Sequence, residues 1–220
     1  MTATRASVPG AYVGSSGWSY PTWRGGFYPP EARPKDFLRA YSERLPSVEL
    51  NTSAYQLPSE EHFSSWAAQV PTEFRFAVRM PRLITHGSRV GLVGTFCERL
   101  RLLDGKLGPV LVVLDRPRDD GFLMLLRDSM DPGLEVAFDF RHESWDGVEV
   151  PVRVNSLEGE APFRYLRLRE PPYADAALVS WAERLRALLD ERVRVYCYFK
   201  HEDEPTAPAY ALRLLELLSG

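Results

Sequence analysis

Short apolar runs alternate with amphipathic helical patterns along most of the 220-residue chain. Residues 109–115 (PVLVVLD) are apolar almost throughout, which is typical of a parallel strand covered on both faces. Residues 89–104 place apolar side chains three and four positions apart, as on one face of a helix, and Gly105 follows them. Strands that alternate with helices in this way indicate βαβ units and a parallel sheet.

The same pattern predicts seven or eight strand–helix units. Such a series favours a closed, TIM-like (β/α) barrel of the α/β class over an open doubly wound sheet. The length suits a single domain, so we predict one domain over residues 1–220, with residues 1–10 flexible. The predicted strands are residues 12–17, 47–51, 74–80, 109–115, 135–140, 150–155, 163–168 and 193–199.

One interval is too short for this alternation of strands and helices. Between Trp145 and Phe163 the chain has room for one short strand, residues 150–155 (VPVRVN), but not for two helices. A parallel crossover takes about a dozen residues or more. We therefore predict a barrel depleted of helices around its sixth strand.

The composition of the chain limits its possible binding partners and its cellular location. The net charge of −3 is too small to draw the chain to nucleic acid or to a lipid surface by its overall field, although a local basic site would still allow nucleic acid. No apolar run has membrane-spanning length and no apolar leader is present, so we expect a cytoplasmic protein without a membrane partner. Nucleotide-cofactor, serine-hydrolase and CxxC motifs are lacking, and we predict no cofactor.

Polar and aromatic residues concentrate where the predicted strands end. In barrels built from βα units, the carboxyl ends of the strands carry the functional site. The residues with suitable chemistry at these ends are Trp18, Tyr20, Trp23, Glu49, Asn51, Tyr55, Arg79, His86, Asp139, Arg141, His142, Trp145, Arg167 and Lys200.

Four of these residues are candidates for proton transfer: Glu49, His86, Asp139 and His142. Each has a structural alternative. Asp139 interrupts an apolar strand and could form a buried ion pair with Arg141 or Arg79, since an unpaired buried carboxylate is costly. A histidine in a loop also commonly bonds only to the backbone. His201 adds a third imidazole, but no HxxxH or HxH spacing supports a metal site, and we predict none.

The arginines suggest an anionic ligand. Guanidinium groups match phosphate and carboxylate, and Arg79, Arg141 and Arg167, with Lys200, are the predicted contacts. Arg167 and Arg169 should share one strand face because side chains alternate along a strand. The aromatic residues Trp18, Tyr20, Trp23, Tyr55 and Trp145, with Asn51, would hold the rest of the ligand; the early aromatic residues could instead plug the barrel mouth.

Several blocks resemble one family. GSSGWSYPTWRGGFYPP (14–30), VELNTSAYQLPS (48–59), FRFAVRMPRLITH (74–86), KLGPVLVVL (106–114) and DFRHESW (139–145) are similar to domain-of-unknown-function family seventy-two (DUF72), the YecE-like proteins. The resemblance implies a TIM-barrel-like fold and carries over no reaction. The family pattern has lysine at Arg79 and glutamate at Asp139, and it also differs at Val113, Arg169 and Lys200.

Three hypotheses for function follow. The first is an enzyme that acts on a phosphorylated or otherwise anionic small molecule by general acid–base chemistry. The second is a barrel that binds or regulates without turnover, which the departures from the family pattern allow. The third, a metal-dependent nuclease or isomerase, rests on analogy with other barrels alone.

Overall fold

The computed structural model describes residues 8–54, 56–87, 89–200 and 203–220. Within these ranges the strands are short and lie close to the predicted positions. Their bounds are β1 Ala11–Ser15, β2 Ser47–Leu50, β3 Arg75–Arg79, β4 Leu107–Leu114, β5 Val136–Phe140, β6 Phe163–Leu168 and β7 Arg194–Phe199.

Helices follow most of these strands. Ser59 and Asp119 accept hydrogen bonds at the amino ends of two of them, from the backbone N–H groups of His62 and Phe122. The predicted helix over residues 89–104 contains only eight residues of α-helix, because 3₁₀ turns replace both of its ends. The helices are α1 Phe37–Ser42, α2 Glu60–Gln69, α3 Arg82–Thr85, α4 Val93–Leu100, α5 Asp120–Asp128, α6 Asp175–Asp190 and α7 Thr206–Ser219.

The strands form two parallel sheets, one in the order β1-β7-β6 and the other in the order β2-β3-β4-β5. The predicted α/β class with parallel strands is therefore confirmed. In the first sheet Arg167 lies opposite Tyr198, and in the second Val113 lies opposite Asp139. The carboxyl ends of neighbouring strands consequently meet at one edge of each sheet.

The two faces of the strands bury different clusters. One face packs under the helices, as Val112 and Phe138 do against residues such as Phe96 and Leu126. The alternate positions form a second buried cluster, to which both sheets contribute. Its members include Ala77, Leu111, Val113, Ala137, Tyr165, Tyr196 and Tyr198. The inner faces of the two sheets therefore share one core.

A tyrosine hydroxyl joins the sheets between β1 and β2. Tyr41 Oη accepts a 2.8 Å hydrogen bond from the backbone N–H of Ser15 and donates a 3.0 Å bond to the carbonyl of Ser47. Gly14 lies at the same junction, and a Cβ placed on it would come 1.9 Å from the Ser47 carbonyl oxygen. A glycine is therefore required for this close approach of the two strands.

The predicted sixth strand, residues 150–155, is wrong as a strand. Only Arg153 forms a bridge, to Phe138 of β5, with hydrogen bonds from Phe138 N to the Val152 carbonyl and from Val154 N to the Phe138 carbonyl, each 2.9 Å. Asn155, at a φ of +65°, turns the chain there and donates its N–H to the Tyr165 carbonyl. Residues 146–162 contain no helix, in agreement with the predicted loss of helices on this side.

Part of the predicted flexible start of the chain is held in place. Ala11 N donates to the Val8 carbonyl and Val195 N donates to the Gly10 carbonyl, so residues 8–10 are anchored to β7. Residues 1–7 lie outside the described ranges. None of the described helices has the length and apolar character needed to cross a membrane, and the cytoplasmic location stays a prediction.

Candidate functional site

Arg167 on β6 connects the two sheets at their carboxyl ends. Its Nε and Nη2 donate to the two carboxylate oxygens of Glu49, both at 3.0 Å, and its Nη1 donates to Asp139 Oδ2 at 2.9 Å. The side chains of Arg167 and Glu49 are 1% and 0% exposed. A forked, charge-assisted pair that is removed from water fixes the positions of both strands strongly.

Glu49 is fully engaged in this pair. Tyr165 Oη and Ser16 Oγ also donate to its carboxylate, at 2.8 and 2.9 Å. Burial alone would raise the pKa of Glu49, but Arg167 and the two hydroxyl donors outweigh it and hold the pKa below its ordinary value. A carboxylate that is so stabilised in its charged form positions Arg167 and is poorly suited to accept a proton.

This lowered pKa gives a testable pH dependence. A group whose pKa is lower in the folded than in the unfolded chain adds stability above its unfolded pKa, near 4.3 for Glu, and loses it as the pH falls through the folded value. We expect the difference in unfolding free energy between the wild type and Glu49→Gln to be constant from about pH 5 to 7 and to shrink below about pH 4. Urea titrations at several pH values measure it; a difference that grows on acidification would contradict the assignment.

Asp139 occupies the more open side of the same cluster. Its Oδ2 accepts from Arg167 and also from Nε and Nη2 of Arg141, at 3.2 and 3.0 Å. The side chain keeps 17% exposure, and no described residue donates to its Oδ1. Asp139 thus forms the ion pair that was one of its two predicted roles, while one oxygen stays available to a ligand or a proton.

Positive charge exceeds negative charge in this cluster. The charges of Arg79 and Arg169 interact with those of Arg167, Glu49, Arg141 and Asp139. Neither side chain forms a hydrogen bond or an ion pair with a described residue. Burial, followed by repulsion from Arg167, lowers the pKa of both guanidinium groups. The cluster therefore contains four guanidinium groups and two carboxylates, which gives it an excess of two positive charges.

The two candidate histidines lie in different surroundings. His86 follows β3 and α3; its Nδ1 is 2.8 Å from Thr85 Oγ1, and burial together with Arg82 lowers its pKa. Its imidazole is consequently neutral at neutral pH. His142 caps a short turn, where Nδ1 accepts from Ser144 N at 3.2 Å. The structure does not bring the two histidines into a hydrogen-bonded pair.

Buried polar atoms without a partner gather at the same strand ends. Among the described residues five such side-chain atoms occur, and three of them are Asn51 Oδ1, Arg79 Nε and His86 Nε2. Native proteins satisfy nearly all buried polar groups, so each exception needs an explanation. Asn51 follows β2, Arg79 ends β3 and His86 follows the next turn, which places all three where the fold predicts ligand contacts.

An aromatic cavity opens beside Asn51. It has a volume of about 400 Å³ and its lining comes from the segments after β1 and β2 and from α2. Trp18 and Trp66 meet there at 85° with their ring centroids 5.6 Å apart. The side chains of interest in the lining are Trp18, Tyr20, Asn51, Gln56, His62 and Trp66.

Other predicted ligand contacts lie elsewhere. Trp23 and Trp145 are 0% exposed and belong to the core; Trp145 Nε1 donates to the Arg116 carbonyl and its ring stacks on Phe140 at 4.9 Å. Because both indoles are fully buried, neither is available to contact a ligand in this structure. Lys200 lines a second surface depression, which Arg169 of the arginine cluster also borders. Tyr55 and His201 lie outside the described residues.

No group of three His, Cys, Asp or Glu side chains suited to a metal ion occurs in the part of the chain that the structure describes. The carboxylates of Glu49 and Asp139 are instead held by Arg167, which is itself a cation. This donor set does not resemble the oxygen and nitrogen cages that bind divalent metals.

A family model described as protein of unknown function DUF72 matches residues 12–157 and 146–220. The chain belongs to the DUF72 family. The resemblance seen in the sequence blocks is thereby confirmed.

Curated relatives match part of this DUF72 chain. The UPF0759 protein YecE of Escherichia coli (strain K12) is 29% identical over 139 residues, which cover 60% of this chain and 48% of YecE. The UPF0759 protein YunF of Bacillus subtilis (strain 168) is 32% identical over 68 residues, covering 31% of this chain and 23% of YunF. The match thus spans about half the length of YecE and less of YunF.

Solved structures share the fold along nearly the whole DUF72 chain. A DUF72 family protein from Enterococcus faecalis V583 has a TM-score of 0.76 at 18% identity, with 96% of each chain covered. A DUF72 family protein from Thermotoga maritima MSB8 has a TM-score of 0.73 at 24% identity, with 96% of this chain and 99% of that chain covered. At these identities the likeness concerns the fold alone.

Several residues of the candidate site were not predicted from the sequence. Tyr165 precedes Arg167 by two positions on β6, so strand alternation could have placed its hydroxyl in the same cluster. Ser16 precedes the aromatic segment after β1 and carried no distinctive signal. His62 and Trp66 lie on α2, and nothing in the helical pattern shows that this helix reaches the strand ends.

Proposed function

We propose that this DUF72 chain binds a small anionic molecule, with a phosphate or carboxylate group, at the carboxyl ends of its strands. The carrying observation is the excess of two positive charges from Arg79 and Arg169 beside the pairs of Arg167 with Glu49 and Asp139. Arg79 is half-buried while Arg169 is exposed, and a half-buried charge costs free energy unless a partner of opposite sign compensates it. An anion supplies that partner.

The chemistry of the available donors supports the same ligand class. Guanidinium forks match the oxygens of phosphate and carboxylate and can donate two parallel hydrogen bonds. Arg79 Nε is a buried donor without a partner, and His86 Nε2 is a second buried polar atom near it. An anion held by Arg79 and Arg169 would satisfy the first of these and compensate the charge of both.

We also infer that the two sheets form one barrel over a single domain. Three observations support it: the shared inner cluster, the bridge through Tyr41 Oη between β1 and β2, and the hydrogen bonds of residues 152–155, which reach β5 at Phe138 and β6 through Asn155. In a barrel the ends of β3 and β6 face the same central space. Arg79 and Arg169 would then reach one ligand from opposite sheets.

Proton transfer, if the bound molecule reacts, falls to Asp139 and His86. Asp139 keeps one free oxygen beside Arg141, and His86 is a neutral imidazole at neutral pH. Glu49 is held by four donor groups, and His142 accepts from the backbone of Ser144. A barrel that only binds the anion is the alternative, and turnover of phosphate esters by the purified protein separates the two.

Replacement of Arg79 by Gln tests the proposed anion site. We expect this variant to bind inorganic phosphate about ten-fold or more weakly than the wild type, since a hydrogen bond to a charged group contributes about 1.5–3 kcal/mol. Isothermal titration calorimetry measures the change. Arg101→Gln is the matched control, because it removes the same charge from an exposed pair with Asp131 and should leave phosphate binding unchanged.

Two results would overturn the anion site. One is a wild-type protein that binds neither phosphate nor sulfate nor a simple carboxylate at millimolar concentration. The other is equal binding by Arg79→Gln and Arg101→Gln, which would assign the affinity to overall charge.

A further inference from the structure

The aromatic cavity and the arginine cluster lie side by side. Ser16 Oγ donates to Glu49, and the next residue, Gly17, lines the cavity. Asn51 lines the cavity two residues after Glu49, a separation of about 7 Å along an extended chain. Ser53 Oγ, one turn further, donates to the Arg79 carbonyl at 2.6 Å. A single small molecule could therefore occupy both regions.

The cavity walls suit a flat ring. Trp18 is nearly buried and Trp66 is half-buried, and their planes are almost perpendicular. A planar ring that stacks on one of these indoles would present its edge to the other, and both arrangements are favourable for aromatic pairs. The volume of about 400 Å³ lies at the small end of ligand cavities, which fits one ring system with its linker and no polymer.

Asn51 adds a polar contact to these walls. Its Oδ1 is buried and has no partner among the described residues. A carboxamide pairs well with the edge of a nucleobase, which offers N–H donors next to ring-nitrogen acceptors.

We infer that the ligand of this site is a nucleoside monophosphate, whose base stacks in the cavity of Trp18 and Trp66 while its phosphate meets Arg79 and Arg169. This inference rests on the proposed anion site and adds the identity of the group attached to the anion. Stacking on aromatic side chains discriminates little between bases. Selection among the bases would therefore depend on the hydrogen bonds that Asn51 offers.

Calorimetry with a graded set of ligands tests the inference. The set is inorganic phosphate, ribose phosphate and the monophosphates of adenosine, guanosine, cytidine and uridine. In the wild type we expect at least one nucleoside monophosphate to bind about ten-fold or more tightly than ribose phosphate. Trp66→Ala should lose this preference and keep its affinity for inorganic phosphate. Trp66→Leu, which retains apolar bulk without a stacking face, is the second variant should Trp66→Ala fold poorly.

Trp181→Ala is the matched control. Trp181 is also a half-buried indole on a helix, but it lies on α6 under Arg184 and lines none of the cavities discussed here. Its removal should leave every affinity unchanged. Equal binding of ribose phosphate and all four nucleotides, or a base preference that survives in the Trp66 variants, would overturn the inference while the anion site stands. Absence of binding by every anion would overturn the proposed function as well.

Discussion

Glu49→Gln is expected to lower the free energy of unfolding by about 3 kcal/mol. The substitution keeps the shape of the side chain but removes the charge that faces the buried guanidinium of Arg167. Breaking one side of a buried ion pair leaves an uncompensated charge in a region that water does not reach. Asp139 still contacts Arg167, so the loss should lie at the low end of the values for such pairs. Urea denaturation followed by circular dichroism measures the change.

Asp175→Asn provides the comparison for this result. Asp175 forms a forked pair with Arg213 of the same chemical type, but the pair lies on the surface between α6 and α7. Exposed pairs are screened by water and contribute little to stability. The expected outcome is a midpoint of unfolding close to that of the wild type. If both variants lost the same stability, the cluster around Arg167 would not be buried as described.

Gly14→Ala should destabilise the fold by about 3 kcal/mol. The added methyl group would lie 1.9 Å from the Ser47 carbonyl oxygen and 2.8 Å from Tyr41 Oη. Both atoms belong to the junction between β1 and β2, and the nearer one is backbone that cannot rotate away. Relief of the clash requires the strands to separate, which breaks the bonds of the Tyr41 hydroxyl to Ser15 and Ser47.

The control substitution is expected to change the stability of the protein in the opposite direction. Gly94 is exposed within α4, and a Cβ added to it would meet no atom within 4 Å. Alanine is the better helix former, so Gly94→Ala should stabilise the protein by roughly 1 kcal/mol. Thermal unfolding of the two variants beside the wild type therefore gives shifts in opposite directions. A Gly14→Ala protein as stable as the wild type would show that the strands are farther apart than described.

Much of the fold follows from local pattern. The alternation of apolar runs and helical faces places β6 at residues 163–168, as observed, and Ser59 and Asp119 mark the starts of their helices. The failure at residues 150–155 has a local cause. Pro151 lacks an N–H, and Asn155 adopts positive φ, so only about three residues can pair although their composition suits a strand.

The sequence predicts where the side chains of the candidate site lie, but not which of them pair with one another. Parallel strands bring their carboxyl ends together, and Glu49, Arg79, Asp139 and Arg167 do lie near one another in the structure. Which arginine contacts which carboxylate depends on register between residues 118 positions apart, and no local signal carries that information. Trp145 shows the same limit: a residue just after a strand can turn either towards the ligand space or, as here, into the core.

The junctions between the two sheets bear on how a ligand would act. Between β1 and β2 the links are side-chain hydrogen bonds, those of the Tyr41 hydroxyl and that of Ser16 to Glu49. Between β5 and β6 the links are a short run of hydrogen bonds at residues 152–155. These junctions contain fewer hydrogen bonds than the continuous ladders inside each sheet, so we expect them to open more readily. Arg79 ends a strand of one sheet and Arg169 follows a strand of the other. An anion bound to both arginines would therefore hold the two sheets together across these junctions. Occupancy of the site would then damp the opening of the molecule at positions far from the ligand itself.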